Sequence, residues 1–271
     1  CVSRIFLNGQ MVCASDVGLG KREKEYSIQH LAIIGAGPAG LELAIQAAKR
    51  KICVSLYEKE SFIGGNLIGA ALIYEPYEKL LNYYQESIAN EFIDLHLNSE
   101  IDLNKLSNQF KDNQTVVLSS GALLGPSKIN ATNIQTWLNP FIQSSKGKIQ
   151  LIKSSIKETK IGNCAIIGTD TIQLHLASFL SSIGIKVSLV KNTDEIGGSM
   201  PVVLRWKVLD DINNQVPIIS ETEYLQREFD IALDTNFLAR ENLNSANIIG
   251  DSKHGLAYLP QTAQDAVAFF K

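Results

Sequence analysis

The chain has 271 residues, of which 45% are hydrophobic and 20% charged, and this composition is typical of a globular protein with one large or two small domains. Its 25 basic and 28 acidic residues give a formal net charge of −3, which provides no electrostatic argument for nucleic acid or an anionic membrane as a partner. No apolar run reaches the roughly 18 residues of a membrane span, and no secretory signal can be read. With four cysteines and no disulfide framework, we expect a cytoplasmic protein that binds small molecules or proteins.

The first elements of the chain are an arm and a strand–turn–helix. Residues 1–27 show neither helical nor strand periodicity and end in a charged run, so they predict an arm or linker. The apolar segment Leu31–Ile34 predicts a buried strand, followed by a glycine-rich turn and a helix over about Pro38–Lys51. A second strand is predicted over Ile52–Glu58.

The alternation of helices and strands continues along the chain. A helix is predicted over Tyr77–Ala89, and strands are predicted around Phe92–Leu97 and over Thr115–Leu118. This alternation is typical of a parallel sheet that helices cover on both faces. Cys53 and Cys164 lie in predicted strands, and we expect both in the core because free cysteine behaves as a small hydrophobic residue.

A second unit of similar shape begins at Asn163. Cys164–Ile167 predicts a strand, Thr171–Ser182 a helix and Lys186–Val190 the next strand. This internal similarity predicts two nucleotide-fold halves.

The tail returns to a strand at Asn247–Ile249, continues through Gly250 and Asp251, and ends in a helix predicted over about Pro260–Phe270. We therefore predict an α/β fold of two Rossmann-like units, the second inserted in the first, with parallel sheets covered by helices. The predicted limits are 1–27 for the arm, 28–155 plus 245–271 for the first unit and 156–244 for the second.

The segment Gly35–Gly40, with the sequence Gly-Ala-Gly-Pro-Ala-Gly, satisfies the dinucleotide-binding fingerprint G-x-G-x-x-G. A lone match is weak, but this one follows an apolar strand and opens a helix, and the next strand ends in Glu58 after roughly the 20-residue interval that the fingerprint requires. We therefore predict that an adenine nucleotide binds here and that Glu58 accepts hydrogen bonds from its ribose.

Each residue of this turn has a part in the prediction. Gly35 permits the tight turn, Gly37 lets the backbone approach a pyrophosphate, and Gly40 lets the helix and strand pack closely. Pro38 suits the first helical position, and the first turn through Ala39 offers amides and positive potential to phosphate oxygens. The alternative is a packing turn without a ligand.

The corresponding segment of the second unit, Gly168–Gln173, keeps only the first glycine. Asp170 stands where a pyrophosphate should lie, and two like charges about 4 Å apart repel by roughly 4 kcal/mol at an effective dielectric constant of about 20. Gln173 adds a long side chain where the helix meets the strand. We predict that this degenerate unit binds NAD(P)H poorly or not at all, and that Lys191 is a surface lysine rather than a contact for a 2′-phosphate.

The chain resembles, over nearly its whole length, the C-terminal part of the iron–sulfur flavoproteins that include 2,4-dienoyl-CoA reductase and trimethylamine dehydrogenase. The segments that carry the resemblance are Ala32–Glu42, Leu56–Lys59, Ile63–Gly65 and Ile249–Asp251. The resemblance implies further cofactor-binding residues beside the fingerprint and Glu58, namely Lys59, Gly64, Gly65, Gly250 and Asp251.

The arm adds a metal prediction. Cys1 and Cys13 are separated by eleven residues, and similar spacing in the resembling family belongs to the last two of four thiolates that hold a 4Fe-4S cluster. Because the cluster needs four thiolates, the resemblance implies that two more lie upstream of Cys1, together with an FMN-bearing barrel on which this chain docks. The alternative is two unrelated cysteines.

The resemblance implies two branches of function. In the reductase branch, FAD in the first unit takes hydride from NADPH in the second and passes electrons through the cluster to FMN. In the amine-dehydrogenase branch, the first unit holds ADP and neither unit takes a direct part in the redox chemistry. We favour an FAD-binding electron-transfer module, inactive as an isolated chain and without catalytic residues of its own. The alternatives are a structural ADP-binding module and a scaffold that has lost its ligand.

Overall fold

A computed structural model describes residues 28–102, 110, 114–126, 129–212, 215–239, 247–254, 265–266 and 268–270. The predicted arm, with Cys1 and Cys13, lies outside these residues, so the arm and the two cluster thiolates stay predictions. Most of the helix predicted over Pro260–Phe270 also lies outside them. None of the helices in the described ranges has the length and apolar character needed to cross a membrane.

The first sheet is built from five parallel strands. They are β1 (His30–Ile34), β2 (Cys53–Tyr57), β3 (Ile93–His96), β4 (Thr115–Leu118) and β12 (Asn247–Ile248). Their order across the sheet is β12-β4-β1-β2-β3. Because all five run in the same direction, their carboxyl ends meet at one edge of the sheet, and this is the edge at which Gly35 follows β1.

The second sheet repeats this plan. Its parallel strands are β6 (Thr132–Asn133), β7 (Asn163–Ile167), β8 (Lys186–Val190), β9 (Ile218–Ile219) and β10 (Ile231–Asp234), in the order β6-β10-β7-β8-β9. A short antiparallel pair of β5 (Leu123–Leu124) and β11 (Phe237–Leu238) joins the segments that pass between the two sheets.

Helices pack on both sheets, and the α/β class with helix-covered parallel sheets is confirmed. The described helices are α1 (Pro38–Ala48), α2 (Asn66–Ile73), α3 (Pro76–Ser87), α4 (Ile134–Ser144), α5 (Ile149–Lys157), α6 (Thr171–Ser182), α7 (Val202–Ile212), α8 (Glu221–Leu225) and α9 (Asp251–His254). On the chain, the second sheet lies between β4 and β12 of the first. Since β6 precedes residue 156 and belongs to the second sheet, the chain enters that sheet before the predicted limit of the second unit, and the domain limits remain predictions.

One hydrophobic core runs through both units. Leu31 and Leu56 of the first sheet belong to the same cluster of buried side chains as Ile166 of the second sheet and Leu174 of α6. Helix α2 contacts α5 and α6, so it lies between the two units. The fingerprint loop of the first unit is therefore supported by a continuous packed interior rather than by a separate small domain.

The prediction that both cysteines of the strands are buried is wrong for Cys53. Cys164, the second residue of β7, is 1% exposed, and burial raises the pKa of its thiol to about 12. Cys53 is exposed because it is the first residue of β2, where the strand enters the sheet from the surface.

His175 lies at the contact between the two units. It belongs to α6 and is buried, and its ring centroid is 4.7 Å from that of Tyr74, which follows α2. Burial lowers the pKa of His175 below its ordinary value, because the protonated ring is poorly solvated there.

We expect the protein to lose stability as the pH falls below about 6.5, the ordinary pKa of histidine, because of His175. In this range the unfolded chain binds a proton at His175 that the folded protein does not, so the free energy of unfolding decreases until the pH passes below the folded pKa. His175→Phe keeps an aromatic ring beside Tyr74 and removes the titration. Urea unfolding of this variant across the range should show a weaker pH dependence than the native protein.

The control for this experiment is His96→Phe, since His96 is partly exposed on β3 and stacks on Tyr57. This variant also removes one histidine but leaves the contact between the units intact. A pH dependence that is the same in the native protein and in His175→Phe would contradict the prediction.

Candidate nucleotide-binding site

The turn after β1 has the geometry that the fingerprint predicts for Gly35. Its φ angle is +105°, in the region that favours glycine, and its amide donates to the Tyr57 carbonyl at 2.8 Å. A Cβ atom at Gly35 would lie 2.6 Å from the Ser119 carbonyl oxygen. The first glycine is therefore required both by its backbone angle and by the approach of the segment that follows β4.

Gly40 brings α1 into contact with this turn. A Cβ atom on Gly40 would lie 2.0 Å from the Gly35 carbonyl oxygen and 2.6 Å from Ser119 Oγ. The Ser119 hydroxyl is hydrogen-bonded to the carbonyl oxygens of Gly35, at 2.8 Å, and Ile34, at 3.1 Å. The third glycine of the fingerprint thus allows the helix, the turn and β4 to meet without a side chain between them.

The N-terminus of α1 is bare. Gly37 is its N-cap residue in an extended conformation, Pro38 opens the helix, and no side chain caps it. A Cβ atom on Gly37 would meet no atom within 4 Å, so space is left above the first turn. Backbone amides and the helix dipole at such an end attract phosphate oxygens.

Glu58 lies directly after β2 with its carboxylate turned towards the fingerprint. Its Oε2 accepts from the Ala36 amide at 2.8 Å, its Oε1 accepts from the Glu60 amide at 3.0 Å, and the residue is 8% exposed. A carboxylate has about four lone-pair positions, so it can accept further hydrogen bonds from ligand hydroxyls. The two backbone bonds fix its orientation before any ligand binds.

The loop after Glu58 folds over the fingerprint. The Gly64 amide donates to the Ala36 carbonyl at 2.8 Å, and a Cβ atom on Gly65 would lie 3.1 Å from Gly37 Cα. Both Gly64 and Gly65 have positive φ angles, +120° and +50°. The predicted pair of glycines therefore allows two stretches of backbone to lie side by side at the N-terminus of α1. Lys59, also predicted here, is exposed, with its Nζ 3.6 Å from Glu60.

Gly250 lies at the same edge of the sheet. It follows β12, has a φ angle of +64°, and its amide donates to Asp265 Oδ2 at 3.0 Å. Asp251 is the first residue of α9, and its side chain lies outside what the structure describes. The backbone of the predicted pair is thus brought next to the carboxyl end of β4, on the same side as Gly35.

The residues that follow β4 were not among the predicted site residues. The Ser119 hydroxyl stabilises the fingerprint turn through its hydrogen bonds to the carbonyl oxygens of Ile34 and Gly35. The buried Ser120 Oγ has no hydrogen-bond partner among the described residues. Gly121 accepts from the Ser252 hydroxyl at 3.1 Å, which connects this segment to α9. The available signal was the run Ser119-Ser120-Gly121 directly after a predicted strand, since small residues at that edge leave room for a ligand.

The residues also show where a metal is not held. Within the described ranges, no group of three or more histidine, cysteine, aspartate and glutamate side chains is placed to bind a metal ion. The predicted cluster ligands Cys1 and Cys13 lie outside those ranges. The described site is therefore one of backbone amides, glycines and the oriented Glu58 carboxylate.

Residues 29–230 match the family of pyridine nucleotide-disulphide oxidoreductases, which is most of the chain. The chain belongs to this family. Among curated relatives, it is 24% identical to the NADH oxidase of Thermoanaerobacter brockii, over 76% of this chain and 32% of that protein. It is 25% identical to the cinnamate reductase of Clostridium sporogenes, over 91% of this chain and 36% of that protein.

The chain has the same fold as part of a solved structure, that of histamine dehydrogenase from Rhizobium sp. 4-9. The TM-score is 0.75 at 14% identity, and the likeness covers 100% of this chain and 49% of the dehydrogenase. The chain spans about a third of the length of the two curated relatives. The family match thus covers strands of both sheets of the chain, and the two curated relatives are named as an NADH oxidase and a cinnamate reductase.

Proposed function

We propose that the first unit binds an adenine dinucleotide, FAD, and serves as the electron-transfer module of a flavoprotein oxidoreductase. The observation that carries this proposal is the position of Glu58, whose carboxylate is held by the amides of Ala36 and Glu60 beside the bare N-terminus of α1. An anion-binding helix end and an oriented hydrogen-bond acceptor lie together, which suits a pyrophosphate joined to a ribose.

The roles of the fingerprint residues follow from their contacts. Gly35 and Gly40 allow the close packing of the turn, and the amides around Gly37 and Ala39 bind the pyrophosphate. Pro38 lacks an amide hydrogen, but at the first helical position that hydrogen has no partner within the helix. Glu58 accepts from the ribose hydroxyls.

In this proposal the remaining predicted residues contact the part of FAD that extends beyond ADP. Gly64 and Gly65 place bare backbone over the fingerprint, and Gly250 brings the start of α9 to the same sheet edge. In this proposal Asp251 accepts from the hydroxyls of a ribityl chain, and the buried hydroxyl of Ser120 supplies a further polar contact. Lys59 stays at the rim, where its ammonium group lies near Glu60.

When bound, FAD supplies two-electron and one-electron chemistry, and the residues of this unit bind and orient it. In this proposal the substrate of the complete oxidoreductase binds to the barrel, as the resemblance to the 2,4-dienoyl-CoA reductase and trimethylamine dehydrogenase proteins implies. The similarity to cinnamate reductase supports the reductase form of the proposal, whereas the similarity to histamine dehydrogenase supports the alternative, a structural ADP-binding module of an amine-dehydrogenase-like protein.

The nucleotide that co-purifies with the protein tests the proposal. We expect acid extraction to release FAD, with the absorption spectrum of a flavin, and added FAD to raise the thermal unfolding temperature of protein stripped of nucleotide. A ligand present at about 100 times its Kd stabilises the folded state by about 2.7 kcal/mol. A colourless protein that releases ADP would establish the alternative. Stability unaffected by both FAD and ADP would reject both and leave the scaffold hypothesis.

We further propose that Cys1 and Cys13 supply two of the four thiolates of a 4Fe-4S cluster and that the module docks on an FMN-bearing barrel. The support is the resemblance to the 2,4-dienoyl-CoA reductase and trimethylamine dehydrogenase proteins, and the fact that the chain covers only part of each relative. Iron and sulfide should be found in protein produced with the segment that precedes Cys1, and Cys13→Ser should abolish both. Iron retained in that variant would contradict the assignment.

A further inference from the structure

The second unit repeats the first without a shift in register, so its loop can be compared with the fingerprint position by position. Gly168 lies 133 positions after Gly35 and also has a positive φ angle, +112°. Its amide donates to the Val190 carbonyl at 2.9 Å, as the Gly35 amide donates to the Tyr57 carbonyl at 2.8 Å. The turn that begins the nucleotide loop is therefore preserved.

The covering loop is preserved as well. The Gly197 amide donates to the Thr169 carbonyl at 2.7 Å, and this bond corresponds to the one between Gly64 and Ala36 in the first unit. Both units thus place a glycine-containing loop over the turn after their first strand. The backbone of a dinucleotide site is present twice, and the two sites differ in their side chains.

Asp170 stands at the position that corresponds to Gly37. It is the N-cap residue of α6, but its carboxylate makes no capping bond with the helix. Instead Oδ1 accepts from the Ser199 amide at 3.1 Å and from the Ser199 hydroxyl at 2.5 Å, and that hydroxyl is 2.9 Å from Thr171 Oγ1. A negative charge is therefore fixed at the end of the helix where a pyrophosphate would need positive potential.

Gln173 stands at the position of Gly40. Its Nε2 donates to Thr235 Oγ1 at 2.6 Å, and its side-chain atoms lie 3.0 to 3.3 Å from where a Cβ atom on Gly168 would be. The side chain therefore fills the contact between helix and strand that glycine leaves free in the first unit. It cannot be moved aside without breaking its bond to Thr235.

Lys191 replaces Glu58. Its Nζ lies 3.3 Å from Asp194 Oδ1, and an ammonium group has no acceptor with which to hold the loop amide as Glu58 does. The ammonium group of Lys191 is therefore paired with Asp194, three positions further along the same loop. The second site thus lacks the oriented carboxylate, the bare helix end and the third glycine.

We propose that the second unit binds no nicotinamide dinucleotide, although the family match extends across it. The Asp170 side chain occupies the position of the phosphates, and the Gln173 side chain fills the contact between helix and strand. The Asp170 carboxylate, hydrogen-bonded to Ser199, replaces the phosphate as the anion at this helix end and joins the covering loop to α6. This inference concerns only the second unit and does not depend on which nucleotide the first unit binds.

Hydrogen exchange read by mass spectrometry tests each unit separately, through peptides that cover residues 168–176 and residues 35–43. With NADH or NADPH at about 1 mM, we expect no added protection of the 168–176 peptide in the native protein. The double variant Asp170→Gly with Gln173→Gly should gain protection there, with an increase in affinity on the order of 1,000-fold, mostly from removal of the charge. The 35–43 peptide, measured with ADP and FAD, reports the first unit independently.

Two further variants complete the test. Asp170→Asn removes the charge at nearly constant size, and we expect it to gain protection as well, which keeps the test valid if the double variant does not fold. Ser199→Ala removes the hydroxyl that binds Asp170 but leaves the Asp170 charge, and we expect no gain in protection of the 168–176 peptide. Protection of the native 168–176 peptide by NADH or NADPH would overturn the proposal. So would a folded Asp170→Asn or double variant without added protection, or binding gained by Ser199→Ala alone.

Discussion

Gly40→Ala should lower the free energy of unfolding by about 3 kcal/mol, since inserting a methyl group into a packed contact typically costs 1–3 kcal/mol and this contact involves backbone atoms. The added Cβ atom would lie 2.0 Å from the Gly35 carbonyl oxygen and 2.6 Å from Ser119 Oγ. Neither the turn nor the segment after β4 can move away independently, because the Ser119 hydroxyl binds the same carbonyl oxygen. Helix α1 must shift, and the nucleotide site shifts with it.

Urea unfolding measures this effect, and Gly69→Ala is its matched control. Gly69 is also inside a helix, α2, but a Cβ atom there would have its nearest neighbour, Leu138 Cδ1, at 3.5 Å, which is an ordinary contact. We expect Gly69→Ala to stabilise the protein by about 0.5–1 kcal/mol, as alanine does in helices. Equal stability of the two variants would show that the close approach at Gly40 is not a constraint.

Glu58→Gln should weaken the binding of ADP or FAD by about 10-fold to 100-fold. Hydrogen bonds to a charged group contribute roughly 1.5–3 kcal/mol, and glutamine replaces one acceptor oxygen with a donor. That donor would face the amide of either Ala36 or Glu60, so the side chain would also turn away from its present orientation. Calorimetric titration of nucleotide-free protein gives the two affinities directly.

Glu60→Gln is the control for charge. Glu60 is two positions further along the chain, and its carboxylate contacts Gln143 and Lys59 rather than the fingerprint. We expect its effect on affinity to stay within about threefold, because exposed charge pairs contribute little. Equal losses in the two variants would mean that Glu58 acts through general charge and not as an oriented acceptor.

The elements that carry the repeat could be predicted because their patterns are local. β4, α6 and β8 have the predicted bounds, β1 begins one residue earlier than predicted, and β2 is one residue shorter than predicted at each end. In these segments continuous apolar runs and glycine turns determine the structure over fewer than twenty residues.

Helices at the contact between the units could not be predicted in the same way. α2 is almost entirely apolar and contains Gly69, so it shows no polar face, and it becomes helical because both units bury it. α4 contains Pro140, which argues against a helix when only the sequence is read. α8, by contrast, carried a readable signal, the capping box formed by Ser220 and Glu223.

The candidate site divides along the same line. The glycines and Glu58 belong to one βαβ unit, so their spacing alone indicates an adenine nucleotide. Ser119 reaches Gly35 of the turn from 84 positions away, and Asp265 binds Gly250 from a separate segment near the end of the chain. Such contacts depend on the order of the strands in the sheet, which periodicity does not contain. Asp170 was predicted to obstruct phosphate binding in the second unit, and the structure shows that its carboxylate is bound by the Ser199 hydroxyl.

The return of the last strand to the first sheet imposes an order on folding during synthesis. Asn247 pairs with Val117 across 130 positions of chain, whereas the second sheet has all its strands once Asp234 has been made. At about 5–20 residues per second, the free edge of β4 waits for seconds while the inserted unit is produced and can fold. An unpaired strand edge is a template for wrong pairing, so β4 is exposed to such pairing until β12 has been made.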